Sequence, residues 1–104
     1  MSQWVGPVLR MGHEVDQIIA AIEDDNPDRE IDVVDRGAYV RVRGPERVTL
    51  TLPTLRRYLG ADFEIRSMET LMSSFVGRVI TTSDSITWED ITARRTRAAK
   101  GASA

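Results

Sequence analysis

His13 is the only histidine in the chain, and it stands beside Glu14 with no cysteine anywhere to share a metal ion. A zinc site needs three or four N, S or O ligands, and the His-Glu-x-x-His spacing that sets two imidazoles on one helix face is absent. His13 therefore reads as a solvent-facing residue near a helix start. Asp24-Asp25 could do acid–base work only in a shielded cleft that drives two carboxyl pKa values apart. Placed just before Asn26-Pro27, they read as solvated turn residues. Ser73-Ser74 could offer a nucleophile, but no Gly-x-Ser-x-Gly elbow surrounds them and the one histidine is distant in sequence. No glycine-rich dinucleotide or phosphate loop is present. The six aromatic residues are not interleaved with basic ones in the way that stacks single-stranded nucleic acid. Such a chain is expected to act by binding, with no catalytic, cofactor or metal site of its own.

The elements that would carry a binding surface follow from periodicity. Val15, Ile18, Ile19 and Ile22 recur at helical spacing, with Glu14 and Asp16 in the first turn, where carboxylates suit the positive end of the helix dipole. Pro27 pushes the preceding residue out of the α region, so the helix stops at Asn26. Alternating residues 31–35 and 38–43 around Arg36-Gly37 predict a β-hairpin, followed by a turn at Gly44-Pro45-Glu46 and a short strand at 48–50. Thr51 could cap a second helix carrying Pro53 in its first turn, Leu52, Leu55 and Leu59 as its buried stripe, and Gly60 as its end.

Pro7 has no N–H to donate, so Val5–Arg10 is expected as an edge strand or an extended arm. Residues 63–72 fit either a helical turn or a strand. Residues 75–80 and 86–88 predict two strands joined by the polar loop 81–85. Tyr39 and Trp88, alternating with polar neighbours, read as core. The order β-α-β-β followed by β-α-(β)-β-β gives an α+β fold of two similar halves, with mostly antiparallel sheets and two to three helices.

At 104 residues the chain has the length of one domain. No apolar run approaches a membrane span, and no basic n-region precedes an apolar core as in a signal peptide. With no cysteine, the reading is a cytoplasmic protein without membrane contact. The net charge of −2 is uneven: residues 93–104 hold Arg94, Arg95, Arg97 and Lys100 and no acid, which leaves ten basic against sixteen acidic residues elsewhere, a net of −6. An acidic body repels a phosphate backbone. Residues 1–92 are thus expected as the single folded domain and 93–104 as a basic, disordered tail.

Three segments together carry a family resemblance. They are Val5-Gly6-Pro7-Val8-Leu9-Arg10-Met11-Gly12, then Asp25-Asn26-Pro27 through Val33-Val34-Asp35-Arg36-Gly37-Ala38-Tyr39-Val40-Arg41, and Leu59-Gly60-Ala61-Asp62-Phe63 through Ser73-Ser74-Phe75-Val76-Gly77-Arg78. In this order and spacing the chain resembles the effector (coupling) proteins of soluble diiron multicomponent monooxygenases, over about residues 5–89. These are component B of methane monooxygenase and the small coupling proteins of phenol, toluene and alkene monooxygenases. The resemblance implies a monooxygenase-regulatory-protein fold without cofactor. It implies a partner, the diiron hydroxylase, which the effector binds to tune oxygen activation, substrate access and electron delivery; the free protein is expected to be a monomer.

By the same resemblance Leu71, Met72, Ser73, Ser74, Phe75, Val76 and Gly77 lie against the hydroxylase near the substrate route. Val5, Gly6, Pro7, Arg10 and Asn26 are further contacts. Phe75 fits either a desolvated anchor or a core position, and Gly77 either a bare backbone for a partner to approach or a bulge. Only four residues precede Val5, and Phe75 stands where methane-type effectors carry a small hydroxylated residue. Both features point to the toluene, phenol or alkene branch. Ala61 stands where many relatives have arginine.

Two other readings compete. A nucleic-acid-binding module using the basic tail would bind with steep salt dependence, and the acidic body argues against it. A small cofactor-free enzyme or ligand-binding protein would need a concave pocket with convergent polar groups.

Overall fold

The structure, a computed structural model, describes residues 3–91. The basic segment 93–104 lies outside the described residues. The first half runs β1 (Trp4–Arg10), α1 (Val15–Asp25), β2 (Asp32–Asp35) and β3 (Tyr39–Pro45). The second runs β4 (Arg47–Thr51), α2 (Leu52–Leu59), α3 (Ser67–Leu71), β5 (Met72–Val76), β6 (Arg78–Thr81) and β7 (Ser85–Glu89). The α+β class, the antiparallel pairing and the first two helices are as the periodicity predicts. The ambiguous stretch 63–72 supplies the short third helix, which buries Met68.

Helix α1 buries Val15, Ile18, Ala21 and Ile22 on one face. Helix α2 starts with Pro53 in its first turn and ends where the Gly60 N–H donates to the Arg56 carbonyl at 2.9 Å. Full burial of each such Leu, Ile or Val stabilises by about 1.5–3 kcal/mol. Trp88, Leu9, Ile18, Ile22, Leu50 and Leu55 are the largest apolar side chains wholly removed from water, and they tie both sheets and both long helices into one core. Among the described residues no helix is long and apolar enough to cross a membrane.

The structure departs from the sequence reading in three places. First, β1 is an inner strand, because the four-stranded sheet runs β2-β3-β1-β5. It pairs Trp4 and Val5 with Pro45 and Gly44, then Val8, Leu9 and Arg10 with Arg41, Val40 and Tyr39. The pairing with β3 lapses at Gly6-Pro7, which is how an interior strand accommodates a residue with no N–H.

Second, residues 75–80 are not one strand. Gly77, at φ 99°, breaks the run, so that β5 closes the four-stranded sheet while β6 joins the three-stranded sheet β4-β7-β6. The two halves therefore interleave, since β5 of the second half lies against β1 of the first. Third, Tyr39 is exposed (41%) rather than core, whereas Trp88 is fully buried as expected. Tyr39 opposes Arg10 on the sheet face away from the core, where alternation from buried Val40 puts it.

Candidate functional site

The pairing of β1 with β5 brings together two segments that the sequence separates. Gly6 lies opposite Val76, Pro7 opposite Phe75, Val8 opposite Ser74 and Leu9 opposite Met72, with a register shift between Val8 and Leu9. At that shift Ser73 Oγ donates to the Val8 carbonyl at 3.3 Å. Strand β5 is the edge of its sheet, so among the described residues its outer backbone groups face no other strand, and such an edge is a natural place for contact. Ser73, Ser74 and Phe75 are exposed, Phe75 at 43%. Leu71 and Met72 turn partly into the core, and Val76 and Gly77 are half-buried. Arg10 is exposed at the far end of β1.

Other candidates prove to be structural. Val5 is wholly buried, so its side chain offers nothing to a partner, and Gly6 and Pro7 are buried as well. A Cβ on Gly6, at φ 149°, would fall 2.0 Å from the Val42 carbonyl oxygen, so that glycine lets β1 and β3 approach. Gly77 has the same kind of explanation: a Cβ there would meet the Glu89 carbonyl oxygen at 2.6 Å and Val5 Cγ1 at 2.7 Å. The close approach that a bare backbone permits is thus made by this chain itself.

Asn26 is 7% exposed and fully used. Its amide donates to the carbonyls of Ile22 (2.6 Å) and Thr49 (2.7 Å), and its Oδ1 accepts from the Thr49 N–H (3.0 Å). It fastens the end of α1 to β4.

The acidic pair beside it divides its work. Asp25 is not a solvated turn residue: its carboxylate accepts from the Thr51 N–H (2.7 Å), Thr51 Oγ1 (3.0 Å) and Thr54 Oγ1 (2.6 Å). The Thr51 hydroxyl is thereby drawn to Asp25 and makes no capping bond to α2. Asp24 accepts from the Tyr58 hydroxyl and lies 3.6 Å from Arg57. The hydrogen bond to Asp24 raises the Tyr58 pKa above its ordinary value, since ionisation would strip the donor from a carboxylate. These groups lock α1 onto α2; they do not converge on a substrate-sized space. Among the described residues no cluster of three or more His, Cys, Asp or Glu is arranged to hold a metal ion.

Residues that the sequence reading passed over flank the β1–β5 pair. A shallow depression of about 550 Å³ has Trp4, Asp32, Arg41, Arg43 and Val76 in its walls. Arg43 is held by Asp32 at 3.2 Å. The signal was present in the alternation itself, because Tyr39, Arg41 and Arg43 are every second residue of β3 and point away from buried Val40 and Val42.

The family comparison accords with this arrangement of strands. Residues 3–89 match the MmoB/DmpM family. An alkene monooxygenase system effector subunit from Xanthobacter autotrophicus is 38% identical over 84 residues, covering 81% of this chain and 83% of that one. Among solved structures, a phenol hydroxylase–regulatory protein complex contains a chain that superposes with a TM-score of 0.73 at 25% identity, covering 84% of this chain and 98% of that one. A second structure of such a complex gives 0.69 at 24% identity, a likeness of fold. The family match and the effector-subunit relative define a small regulatory component that works on another protein. The chain belongs to the MmoB/DmpM family, and its role is that of a non-catalytic effector within a multicomponent monooxygenase.

Proposed function

We propose that this protein docks on the diiron hydroxylase of its monooxygenase system in the cytoplasm. Docking raises the coupling of NADH use to hydroxylation or epoxidation of an alkene or aromatic hydrocarbon. The effector contributes no reacting group. It acts by binding one state of the hydroxylase better than another, since a ligand shifts an equilibrium only by its differential affinity. In that state oxygen activation and substrate access are favoured.

One observation supports the reading most: the β1–β5 pair presents Ser73, Ser74 and Phe75 on an exposed edge strand. Two small hydroxyl side chains can hydrogen-bond without obstructing a substrate route, and a half-exposed phenylalanine is the kind of anchor that supplies docking energy when desolvated. The relative from Xanthobacter is an effector subunit of an alkene monooxygenase system, and the similar fold of known structure is complexed with phenol hydroxylase. The first is named an effector subunit and the second a regulatory protein in complex with a hydroxylase.

The test is product formed per NADH consumed by reconstituted hydroxylase and reductase, with and without this protein. A saturable rise in rate and coupling at one copy per active site is expected. No change with the hydroxylase from the same source would refute the proposal.

A further inference from the structure

The outer face of the four-stranded sheet differs in charge from the rest of the molecule. Outside the basic tail the chain carries ten basic and sixteen acidic residues, yet Arg10, Arg41 and Arg43 all project from this one face. The register fixes that: Tyr39, Arg41 and Arg43 alternate with buried Val40 and Val42, and Arg10 and Val8 oppose Tyr39 and Arg41. Of the acidic residues, Asp32 shares the face and already holds Arg43 at 3.2 Å, while Glu30 stands at the rim of the depression. Among the described residues no carboxylate is paired with Arg41. Trp4 on β1 and Val76 on β5 add apolar surface to the walls of the same depression. Ser74 and Val76 make the face continuous with the exposed edge of β5.

We infer that this sheet face is the docking surface for an acidic patch of the hydroxylase, with Arg41 and Arg43 receiving carboxylates around a contact made by Trp4 and Val76. The inference rests on the function proposed above and goes further, because it names the face and the chemistry of the partner. A basic face on an otherwise acidic body favours the approach to an acidic partner that turns this face inward. Arg43 arrives preorganised by Asp32, so less side-chain freedom is lost when it takes a second carboxylate. Arg41, unpaired beforehand, has the larger change in environment and is the more sensitive probe.

The experiment uses the full-length protein and the hydroxylase of the same source, with docking followed by calorimetric titration at several NaCl concentrations. Arg41→Glu is expected to weaken docking by about tenfold or more at low salt, as reversal of a contact charge does. The deficit narrows as the screening length falls from about 10 Å at 0.1 M salt to about 3 Å at 1 M. Arg41→Lys should restore docking to near the wild-type level. Arg57→Glu, the same charge reversal on α2, should leave it unchanged. Near-UV circular dichroism checks each fold, and Arg41→Gln, read by the same titration, replaces the Glu variant should that one unfold. Arg41 variants that dock like wild type overturn the assignment, and so does a loss that is equal at all salt concentrations or shared by Arg57→Glu. A wild-type protein that neither docks nor raises coupling would instead overturn the function itself, so the two failures are distinguishable.

Discussion

Gly77→Ala is expected to unfold this protein at markedly lower temperature even though it adds one methyl group. At φ 99° an L side chain occupies a disfavoured backbone region, at a cost of about 1–2 kcal/mol. The added Cβ would also lie 2.6 Å from the Glu89 carbonyl oxygen and 2.7 Å from Val5 Cγ1. Neither neighbour can yield cheaply. Glu89 is paired with both Arg47 and Arg78 across the three-stranded sheet, and Val5 is wholly buried on an inner strand. Forcing a methyl group into such packing costs about 1–3 kcal/mol more. The sum is about 3 kcal/mol, a large part of the roughly 5–15 kcal/mol by which small domains are stable.

At about 4–8 °C per kcal/mol for a domain of this size, Tm should fall by about 10–25 °C. Gly37→Ala is the internal control, because Gly37 also has positive φ (85°) but nothing within 4 Å of its Cβ position. It should lose only about 1 kcal/mol. Urea and thermal unfolding of the two variants side by side provide the measurement. A Gly77→Ala variant no less stable than Gly37→Ala would falsify the packing argument. A bulkier residue at 77 would abolish activation through the fold, so loss of activity there says nothing about docking.

Four further outcomes follow from the same geometry. Asn26→Ala strands the Thr49 N–H and the Ile22 and Thr49 carbonyls, and should cost about 2–3 kcal/mol in urea unfolding; a loss below 0.5 kcal/mol (roughly the size of a neutral surface change) would contradict that role. Asp25→Ala removes the acceptor of three bonds that hold β4 and α2 to α1, and about 2 kcal/mol should be lost, with hydrogen exchange rising first in α2. Phe75→Ala should leave Tm within a few degrees, because the ring is 43% exposed, while weakening hydroxylase docking by about 2 kcal/mol if the ring is an anchor; unchanged docking would remove Phe75 from the interface. Tyr58 should ionise above free tyrosine in an ultraviolet pH titration, mainly through its hydrogen bond to Asp24. Its folded pKa is raised, so any stability it contributes is present below the unfolded pKa and lost as pH climbs through the folded one; Asp24→Asn should move the titration back down.

Much of this molecule is legible in one dimension. Helix α1 announces itself because Val15, Ile18 and Ile22 recur at 3.6-residue spacing and Pro27 admits no continuation. The hairpin of β2 and β3 is equally local, since alternating apolar and polar residues flank Arg36-Gly37. Family membership can be read from three ordered segments. Tyr39 was misjudged for a reason that alternation cannot cure. Period-two patterning says which residues share a face but not which face meets the core, and here Val40 and Val42 take the inside.

The proposed docking segment could be named from sequence, but its surroundings could not. Ser73 to Phe75 become an exposed edge only because β5 pairs with β1 rather than with β6, and that pairing joins residues 65 positions apart at Ser73 and Val8. Asn26 looked like a loop residue open to a partner because nothing local reveals that Thr49 will be its neighbour. Gly77 looked like a place for another protein to approach because its real neighbours, Val5 and Glu89, are remote in the chain. The sequence determined the first two helices, the hairpin and the class of fold, all set by short-range periodicity and residue type. The tertiary structure alone decided which strand became an edge, which glycine was already crowded and which three arginines share one face, because each depends on contacts that form only when distant segments pack together.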